Sequence, residues 1–182
     1  DFNFSEDFLE ETREIFDIMS DELYRAMREA QNILFVTSAG NSDNDVAFDK
    51  MIPSSYELPN LLVVGAVDQA GDPTSFTSQG RNVKLYANGF EVESYVPGGD
   101  RLAASGTSMS SPAVVNLAAK ILAVEPYLTP QEVIELILEG ATPRDGDENF
   151  LLLHPKQTML VLETRQKEDT LERALRPDPA RA

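Results

Sequence analysis

Apolar residues recur at helical spacing through the first part of the chain. From about residue 6 to residue 31 they follow one another in steps of three, four and seven, at Phe8, Ile15, Phe16, Met19, Leu23, Met27 and Ala30. This spacing places them on one face of a helix, with a break near Ser20. Acidic residues crowd the first turns, where they complement the helix dipole. The pattern predicts a surface helix that covers a sheet.

Short apolar runs separated by turn residues follow this helix and predict buried strands. The runs span residues 32–36, 61–67 and 83–86, and small or polar turn residues come after each of them. A helix followed by continuous apolar strands is typical of an α/β domain with a parallel sheet flanked by helices. In such sheets functional groups collect at the carboxyl ends of strands, which is where Asn41 falls.

The second half of the chain predicts two further helices. Residues 113–124 are apolar on nearly every face, which indicates a helix buried in the centre of the domain. Thr129 and Glu132 form the pattern of a capping box around Pro130, and Gly140 ends the helix that they begin. Residues 165–182 have mixed charge and two prolines, which predicts a frayed helix and a disordered tail after a domain of residues 1–164.

Composition and charge exclude several classes of function. The 182 residues carry 31 acidic and 15 basic side chains, a net charge of −16, which disfavours nucleic acid and anionic membranes as partners. The absence of cysteine excludes disulfides and zinc–thiolate sites. No apolar run approaches the ~20 residues that span a bilayer. The chain begins at Asp1 without a signal peptide, and we expect it to be an excerpt or a processed piece.

Seven residues from Gly106 to Pro112, G-T-S-M-S-S-P, carry the candidate chemistry. A glycine, a run of hydroxyl residues and an apolar segment indicate a loop that enters a helix, with Ser108 near its start. Backbone N–H groups and the positive end of the helix dipole favour negative charge there, which suits a nucleophile whose attack creates an oxyanion. The alternative interpretation is an ordinary hydroxyl cap before a buried helix.

This stretch resembles the catalytic-serine signature of the subtilisin-like serine proteases, with Ser110 where alanine is usual. Residues 35–42, F-V-T-S-A-G-N-S, resemble the family segment whose asparagine donates to the oxyanion, and that residue is Asn41 here. Residues 52–56, 64–68 and 74–80 resemble further family segments in the same order. The resemblance covers residues 32–142, and it places an X-Pro turn that can hold a cis bond at Ile52–Pro53.

The resemblance implies a subtilisin-like fold and peptide-bond hydrolysis through an acyl-enzyme on Ser108. It also implies that Asn41 binds the oxyanion and that Ser38, Ala39, Gly40 and Thr107 line the substrate pocket. The family points to a secreted or periplasmic location and to a peptide or protein substrate. No cofactor is implied, and the acidic loop 43–49 lacks the glycine and the closing glutamate of a calcium site.

The residues that resemble the family do not include a catalytic base. The one histidine, His154, follows Ser108, whereas the family order is aspartate, histidine, serine, so His154 is interpreted as structural. We therefore expect the C-terminal half of a catalytic domain, inactive by itself, whose partner is the N-terminal half that supplies the aspartate and histidine. One alternative is an inactive subtilase-like peptide-binding or scaffold module. The other is an unrelated acidic α/β domain with a chance motif.

Overall fold

The computed structural model describes residues 5–175 of the chain. Within them lie four helices and seven strands, in the order α1 (Glu6–Glu29), β1 (Phe35–Ser38), β2 (Leu61–Val67), β3 (Val83–Asn88), β4 (Val92–Tyr95), β5 (Arg101–Ala104), α2 (Thr107–Val124), α3 (Pro130–Glu139), β6 (Thr142–Arg144), β7 (Asp147–Leu152) and α4 (Pro155–Leu175).

A five-stranded sheet forms the centre of the fold. Its strand order is β1-β2-β3-β7-β6, in which the first four strands are parallel and β6 runs antiparallel to β7. Strands β4 and β5 form a separate antiparallel hairpin between β3 and α2. A mainly parallel sheet flanked by helices confirms the predicted fold class. Among the described residues β1 is an edge strand, with β2 on one side only.

A hydrophobic core lies on each face of the sheet because β2 is apolar on both sides. Leu62 and Val64 share one core with side chains of α2, α3 and α4, whereas Leu61 and Val63 share a second core with Met27 of α1. Successive residues of a strand point to opposite faces, so the continuous apolar run builds both cores. All seven residues of β2 are buried, and its bounds are those predicted from the sequence.

Helix α1 is anchored to the sheet mainly by its C-terminal part. The buried side chain of Asn60 donates to the carbonyl oxygens of Met27, Ala30 and Ile33, at 3.0–3.1 Å, and thereby satisfies acceptors at the helix end. Tyr56 Oη donates to the Ser20 carbonyl at 2.8 Å. The helix is continuous through Ser20, so the predicted break there is wrong.

Helices α2 and α4 differ from their predictions. Helix α2 begins at Thr107 and buries only its inner face, since Val115 and Val124 on its outer face are each 49% exposed. The predicted burial on all sides is therefore wrong for this chain. The predicted boundary after residue 164 falls inside α4, where Arg165 hydrogen-bonds Glu139. Residues 176–182 of the predicted tail lie outside the described residues.

Helix α2 is also long and apolar enough, by length and composition alone, to cross a membrane. This finding differs from the expectation that no apolar segment is long enough to span a bilayer. Such a helix is weak evidence for a span because the core helix of a globular domain passes the same test. Here α2 packs against β1, β2 and β3 through Val114, Leu117 and Ile121, which are at most 1% exposed. Those contacts make it the central helix of the α/β domain.

Candidate active site

The candidate site lies where the carboxyl end of β1 meets the start of α2. The chain leaves β1 through Ala39, whose N–H still bonds the Val64 carbonyl of β2 at 2.9 Å. The next N–H, that of Gly40, donates to the hydroxyl of Thr107 at 3.1 Å. Residues far apart in the sequence are therefore held within one hydrogen bond of each other, at the sheet edge where sites of parallel α/β proteins form.

Thr107 fixes the orientation of the Asn41 side chain. Its N–H and its hydroxyl both donate to Asn41 Oδ1, at 2.9 and 3.0 Å. An asparagine amide has one acceptor end and one donor end, so engaging the oxygen leaves Nδ2 as the end available to a third group. Asn41 is exposed, and its amide is thus a fixed donor on the surface beside Ser108.

Ser108 occupies the first turn of α2 and is exposed. The loop before it is tied down at Gly106, whose N–H donates to the Gly89 carbonyl at 2.8 Å. Ser105 adds a second tie, since its hydroxyl accepts the N–H of Glu91 at 2.9 Å. These bonds close the base of the β4–β5 hairpin and set where the helix begins. N–H groups in a first helical turn have no intrahelical acceptor.

Ser110 is a buried hydroxyl at this junction. It is 0% exposed, and its Oγ has no hydrogen-bond partner within the part of the chain that the structure describes. The neighbouring position is Gly89, where a Cβ would lie 2.3 Å from Ser110 Oγ and 2.7 Å from the Gly106 carbonyl oxygen. Glycine is required there because the strand end passes directly against the first turn of α2.

We expect Ser110→Ala to raise the stability of the chain. A buried polar group without a partner costs about 1–3 kcal/mol, and alanine removes the hydroxyl without leaving a large cavity. Urea unfolding followed by circular dichroism should show a higher midpoint with an unchanged slope. Ser111→Ala, at a half-buried neighbouring serine, is the matched control and should move the midpoint by less. A lower midpoint for Ser110→Ala would mean that the hydroxyl has a partner.

The predicted pocket-lining residues separate into two pairs. Ser38 and Gly40 are half-buried and remain at the surface near Asn41. Ala39 and Thr107 are 0% exposed, so neither side chain can contact a substrate in this arrangement. The prediction that they line the pocket is corrected because Thr107 is engaged with Gly40 and Asn41, and Ala39 packs inside the domain.

His154 serves a different part of the molecule. It precedes α4, and its Nδ1 accepts the N–H of Gln157 at 3.1 Å, as a cap of that helix. Among the described residues, no hydrogen bond joins His154 to Ser108; the contact of the His154 ring is with the first turn of α4.

The acidic loop after Asn41 uses its carboxylates internally. Asp45 Oδ1 accepts the N–H groups of Ala47 and Phe48 at 2.9 and 3.0 Å, and Asp49 accepts from the side chain of Asn44 at 2.6 Å. Across the described residues, no group of three or more histidine, aspartate or glutamate side chains could hold a metal ion.

A cavity of about 630 Å³ lies away from this site, beside β3 and β7. Tyr86 and Phe150 stack in its wall with ring centroids 3.7 Å apart. Burial raises the pKa of Tyr86, and the negative charge of Asp147 raises it further. Residues 38–41 and 106–108 are not among the residues that line this cavity.

Comparison with known sequences places the chain in a family. The Subtilase family profile matches residues 9–169, which include every residue of the candidate site. The chain belongs to the subtilase family. It is 33% identical over 141 residues to a subtilisin-like protease of Coccidioides posadasii, covering 74% of this chain and 35% of that protein. It is also 33% identical over 114 residues to the subtilisin of Bacillus pumilus, covering 62% of this chain and 41% of the relative.

Comparison with solved structures shows that the chain also shares the fold of subtilisin-like proteases. The self-cleaved protease domain of PatA superposes with a TM-score of 0.64 at 28% identity, covering 76% of this chain and 53% of that one. A cold-adapted subtilisin-like serine proteinase gives a TM-score of 0.62 at 28% identity, covering 68% and 45%. The chain thus spans about half the length of these solved relatives and 35–41% of the two curated ones.

The sequence was sufficient to predict the subtilase resemblance. It predicted only part of the backbone geometry around the site. The Ile52–Pro53 peptide is cis, as predicted. The positioning role of Thr107 was missed because a sequence motif does not show which side chain is buried. The sequence also did not predict the packing of Gly89 against Ser110, because the dipeptide Asn88-Gly89 indicates only a turn.

Proposed function

We propose that this chain carries the nucleophile and oxyanion-binding half of a serine endopeptidase that hydrolyses peptide bonds through an acyl-enzyme on Ser108. The observation that supports this most directly is the pair of hydrogen bonds from Thr107 to Asn41 Oδ1. They hold a donor amide beside the residue that follows Thr107 in the chain. Catalysis of acyl transfer needs that pairing of a nucleophile with preorganised donors.

The proposed reaction begins when Ser108 Oγ gives its proton to the base and attacks the carbonyl carbon of the substrate. The carbonyl oxygen becomes an oxyanion, and Asn41 Nδ2 and the Ser108 N–H donate to it. Collapse of this intermediate breaks the C–N bond, the amine leaves with a proton from the base, and a serine ester remains. Water then attacks the ester and releases the acid product and Ser108.

The base and its carboxylate would come from the part of a subtilase domain that precedes the residues of this chain. Ser108 without an adjacent base keeps its proton near neutral pH and is a weak nucleophile. His154 is engaged at the start of α4. The match covers 35%, 41% and 53% of three relatives, so each of them has further residues outside the matched segment, among which we expect the aspartate and the histidine.

Three surfaces of the chain suit that N-terminal half as their partner. Helix α1 exposes a set of large apolar side chains, each at least 39% accessible: Leu9, Ile15, Phe16, Ile18, Met19 and Leu23. Strand β1 has no neighbour on its outer edge among residues 5–175, and unpaired strand edges readily accept another strand. The outer face of α2 is also uncovered. Contiguous apolar surface of this kind marks an interaction site.

A non-catalytic role is the second candidate. If the upstream half lacks the aspartate or the histidine, the same geometry would hold a peptide without cleaving it, as a peptide-binding or scaffold module. Location outside the cytoplasm, secreted or periplasmic, belongs to the same proposal and rests on the family alone.

The experiment is covalent labelling of the purified chain with a fluorophosphonate, alone and together with the upstream segment of its reading frame. An activated serine attacks the phosphorus, so intact-mass and peptide mapping should find an adduct on Ser108 only when the upstream segment is present. His154→Ala should label as the native chain does, and Ser108→Ala should not label.

The outcomes separate the two candidates. Labelling of a correctly assembled pair together with hydrolysis of a peptide library supports the endopeptidase. Labelling of the chain alone that is lost in His154→Ala would overturn the assignment of His154. An assembled, folded pair that neither labels nor cleaves would favour the binding module.

A further inference from the structure

The backbone on both sides of Asn41 is tied to one buried residue, Ser78, in the loop between β2 and β3. The Ser78 N–H donates to the Gly40 carbonyl at 2.9 Å, and the Ser78 hydroxyl accepts the N–H of Ser42 at 3.3 Å. The first bond fixes the peptide unit before Asn41, and the second fixes the peptide unit after it. Ser78 is 0% exposed, so solvent does not compete for these contacts.

The Ser78 hydroxyl belongs to a series of hydrogen bonds that ends at a carboxylate. It donates its proton to Asn44 Oδ1 at 2.5 Å. The other end of the Asn44 amide, Nδ2, donates to Asp49 Oδ2 at 2.6 Å. The series thus runs from the Ser42 N–H through two side chains to a negative charge. Hydrogen bonds in series polarise one another, and a charged acceptor strengthens them.

Asn44 decides which way the Ser78 hydroxyl points. A serine hydroxyl has one proton and two lone pairs, and it rotates to suit its partners. Because Asn44 Oδ1 takes the proton, the lone pairs are left for the Ser42 N–H. Removal of Asn44 would free the hydroxyl to rotate and would weaken its hold on Ser42.

The donor amide of Asn41 needs a fixed backbone as well as a fixed side chain. Thr107 holds the side chain at Oδ1 but makes no bond to the two peptide units that flank Asn41 Cα. Ser78 supplies those bonds. Catalytic groups have to be held within about 0.5 Å of their productive position, and a misplacement of about 1 Å can lower the rate about 10²-fold.

We propose that Ser78, oriented by Asn44, is a positioning residue that holds the backbone of Asn41 so that Nδ2 faces the carbonyl oxygen of the substrate. The proposal rests on the proposed function for the role of Asn41. Ser78 acts through Asn41 because its own side chain is buried and bound on both sides. Asp49 completes the arrangement by fixing the amide of Asn44.

The size of the effect is bounded by the loss of the donor itself. Ser78→Ala removes the hydroxyl and keeps the backbone bond to Gly40, so we expect kcat of the assembled pair to fall about 10–10²-fold, below the loss of about 10²–10³-fold for a missing oxyanion donor. KM should change little, since the donor acts on charge that develops in the transition state. Asn44→Ala should lower kcat less, and the double variant should lose no more than Ser78→Ala, because the two residues act in series.

The first test is NMR of the 182-residue chain labelled with ¹⁵N-asparagine, which needs no catalysis. The side-chain amide signals of Asn41 are assigned by their loss in Asn41→Ala. Ser78→Ala should shift or broaden these signals. The signals of Asn60, whose buried amide donates to the end of α1, should stay unchanged and report an intact fold.

The second test is steady-state hydrolysis of one peptide by the assembled pair. Thr158→Val is the matched control for both tests, since it also removes a 0% exposed hydroxyl, one that donates to the His154 carbonyl at 3.2 Å in the first turn of α4. It should leave the Asn41 signals, kcat and KM unchanged.

Several results would overturn the proposal. They are unchanged Asn41 signals in Ser78→Ala, loss of the Asn60 signals in the same variant, a rise in KM without a fall in kcat, and additive losses in the double variant. Moved Asn41 signals in the chain alone, without labelling of Ser108 in the assembled pair, would support the positioning role of Ser78 and contradict the endopeptidase.

Discussion

We expect Ser108→Ala to abolish peptide hydrolysis by the assembled catalytic domain. The substitution removes the atom that forms the acyl-enzyme, and what remains is binding and the oxyanion donors. Removal of a triad member generally leaves about 10³–10⁴-fold catalysis over the uncatalysed reaction, a small part of the total acceleration. Steady-state assay of the native and variant pairs on one peptide substrate measures the loss. Activity near the native level in Ser108→Ala would place the nucleophile elsewhere.

Asn41→Ala provides a graded comparison in the same assay. Loss of one oxyanion donor lowers kcat about 10²–10³-fold, the general size of such an effect in acyl-transfer enzymes, subtilisin included. The Michaelis constant should change little, because the donor acts on charge that develops in the transition state. Asn149→Ala, at an exposed asparagine of β7, should leave both constants unchanged. A change confined to KM would contradict the assignment of Asn41.

Gly140→Ala should produce a large loss of stability in the described part of the fold. A Cβ on Gly140 would lie 2.3 Å from Thr158 Cα and 2.6 Å from Thr158 N. Both are backbone atoms in the first turns of α4, and Thr158 is 0% exposed, so no flexible side chain can move aside. Overpacking generally costs 1–3 kcal/mol, and contact with backbone puts this case at about 3 kcal/mol or more. Urea unfolding measures it.

Gly146→Ala is the control that separates packing from backbone strain. Gly146 has φ of +83°, which disfavours a side chain, but a Cβ there would meet no atom within 4 Å. Gly140 has φ of −81°, which any residue adopts, so its cost is packing alone. We expect Gly146→Ala to cost about 1 kcal/mol. A smaller loss for Gly140→Ala than for Gly146→Ala would show that α3 and α4 separate easily.

The sequence predicted elements well where their signals are local. The apolar run predicted the bounds of β2, and the Thr129–Glu132 capping box predicted the start of α3. Both predictions are correct because each signal lies in residues that are adjacent or nearly adjacent in sequence. Strand β1 was predicted at residues 32–36 but begins at Phe35, which pairs with Leu61. That register is set by β2, 26 positions later in the chain, and an apolar run by itself cannot show it.

The sequence indicated which residues belong to the candidate site, but it did not predict how they are arranged in space. Motif resemblance singled out Asn41 and Ser108 as candidates because both lie in unusual local sequences. The burial of Thr107 and the packing of Gly89 against Ser110 depend on contacts between segments that are distant in sequence, and no local pattern contains them. The exposure of the outer face of α2 was not predicted for the same reason. The apolar composition of that segment indicates a helix that is buried on all sides.

The bonds between Asn41 and Thr107 close a chain segment that contains β2 and β3, two parallel strands that must first find their register. Contacts so distant in sequence pay their loop-closure entropy before they stabilise anything, and they form late in folding. We therefore expect the donor amide to take up its orientation only after the sheet is assembled. Under the proposed function, an oxyanion site that forms this late would exist only after the peptide bonds of the chain itself are protected by folding.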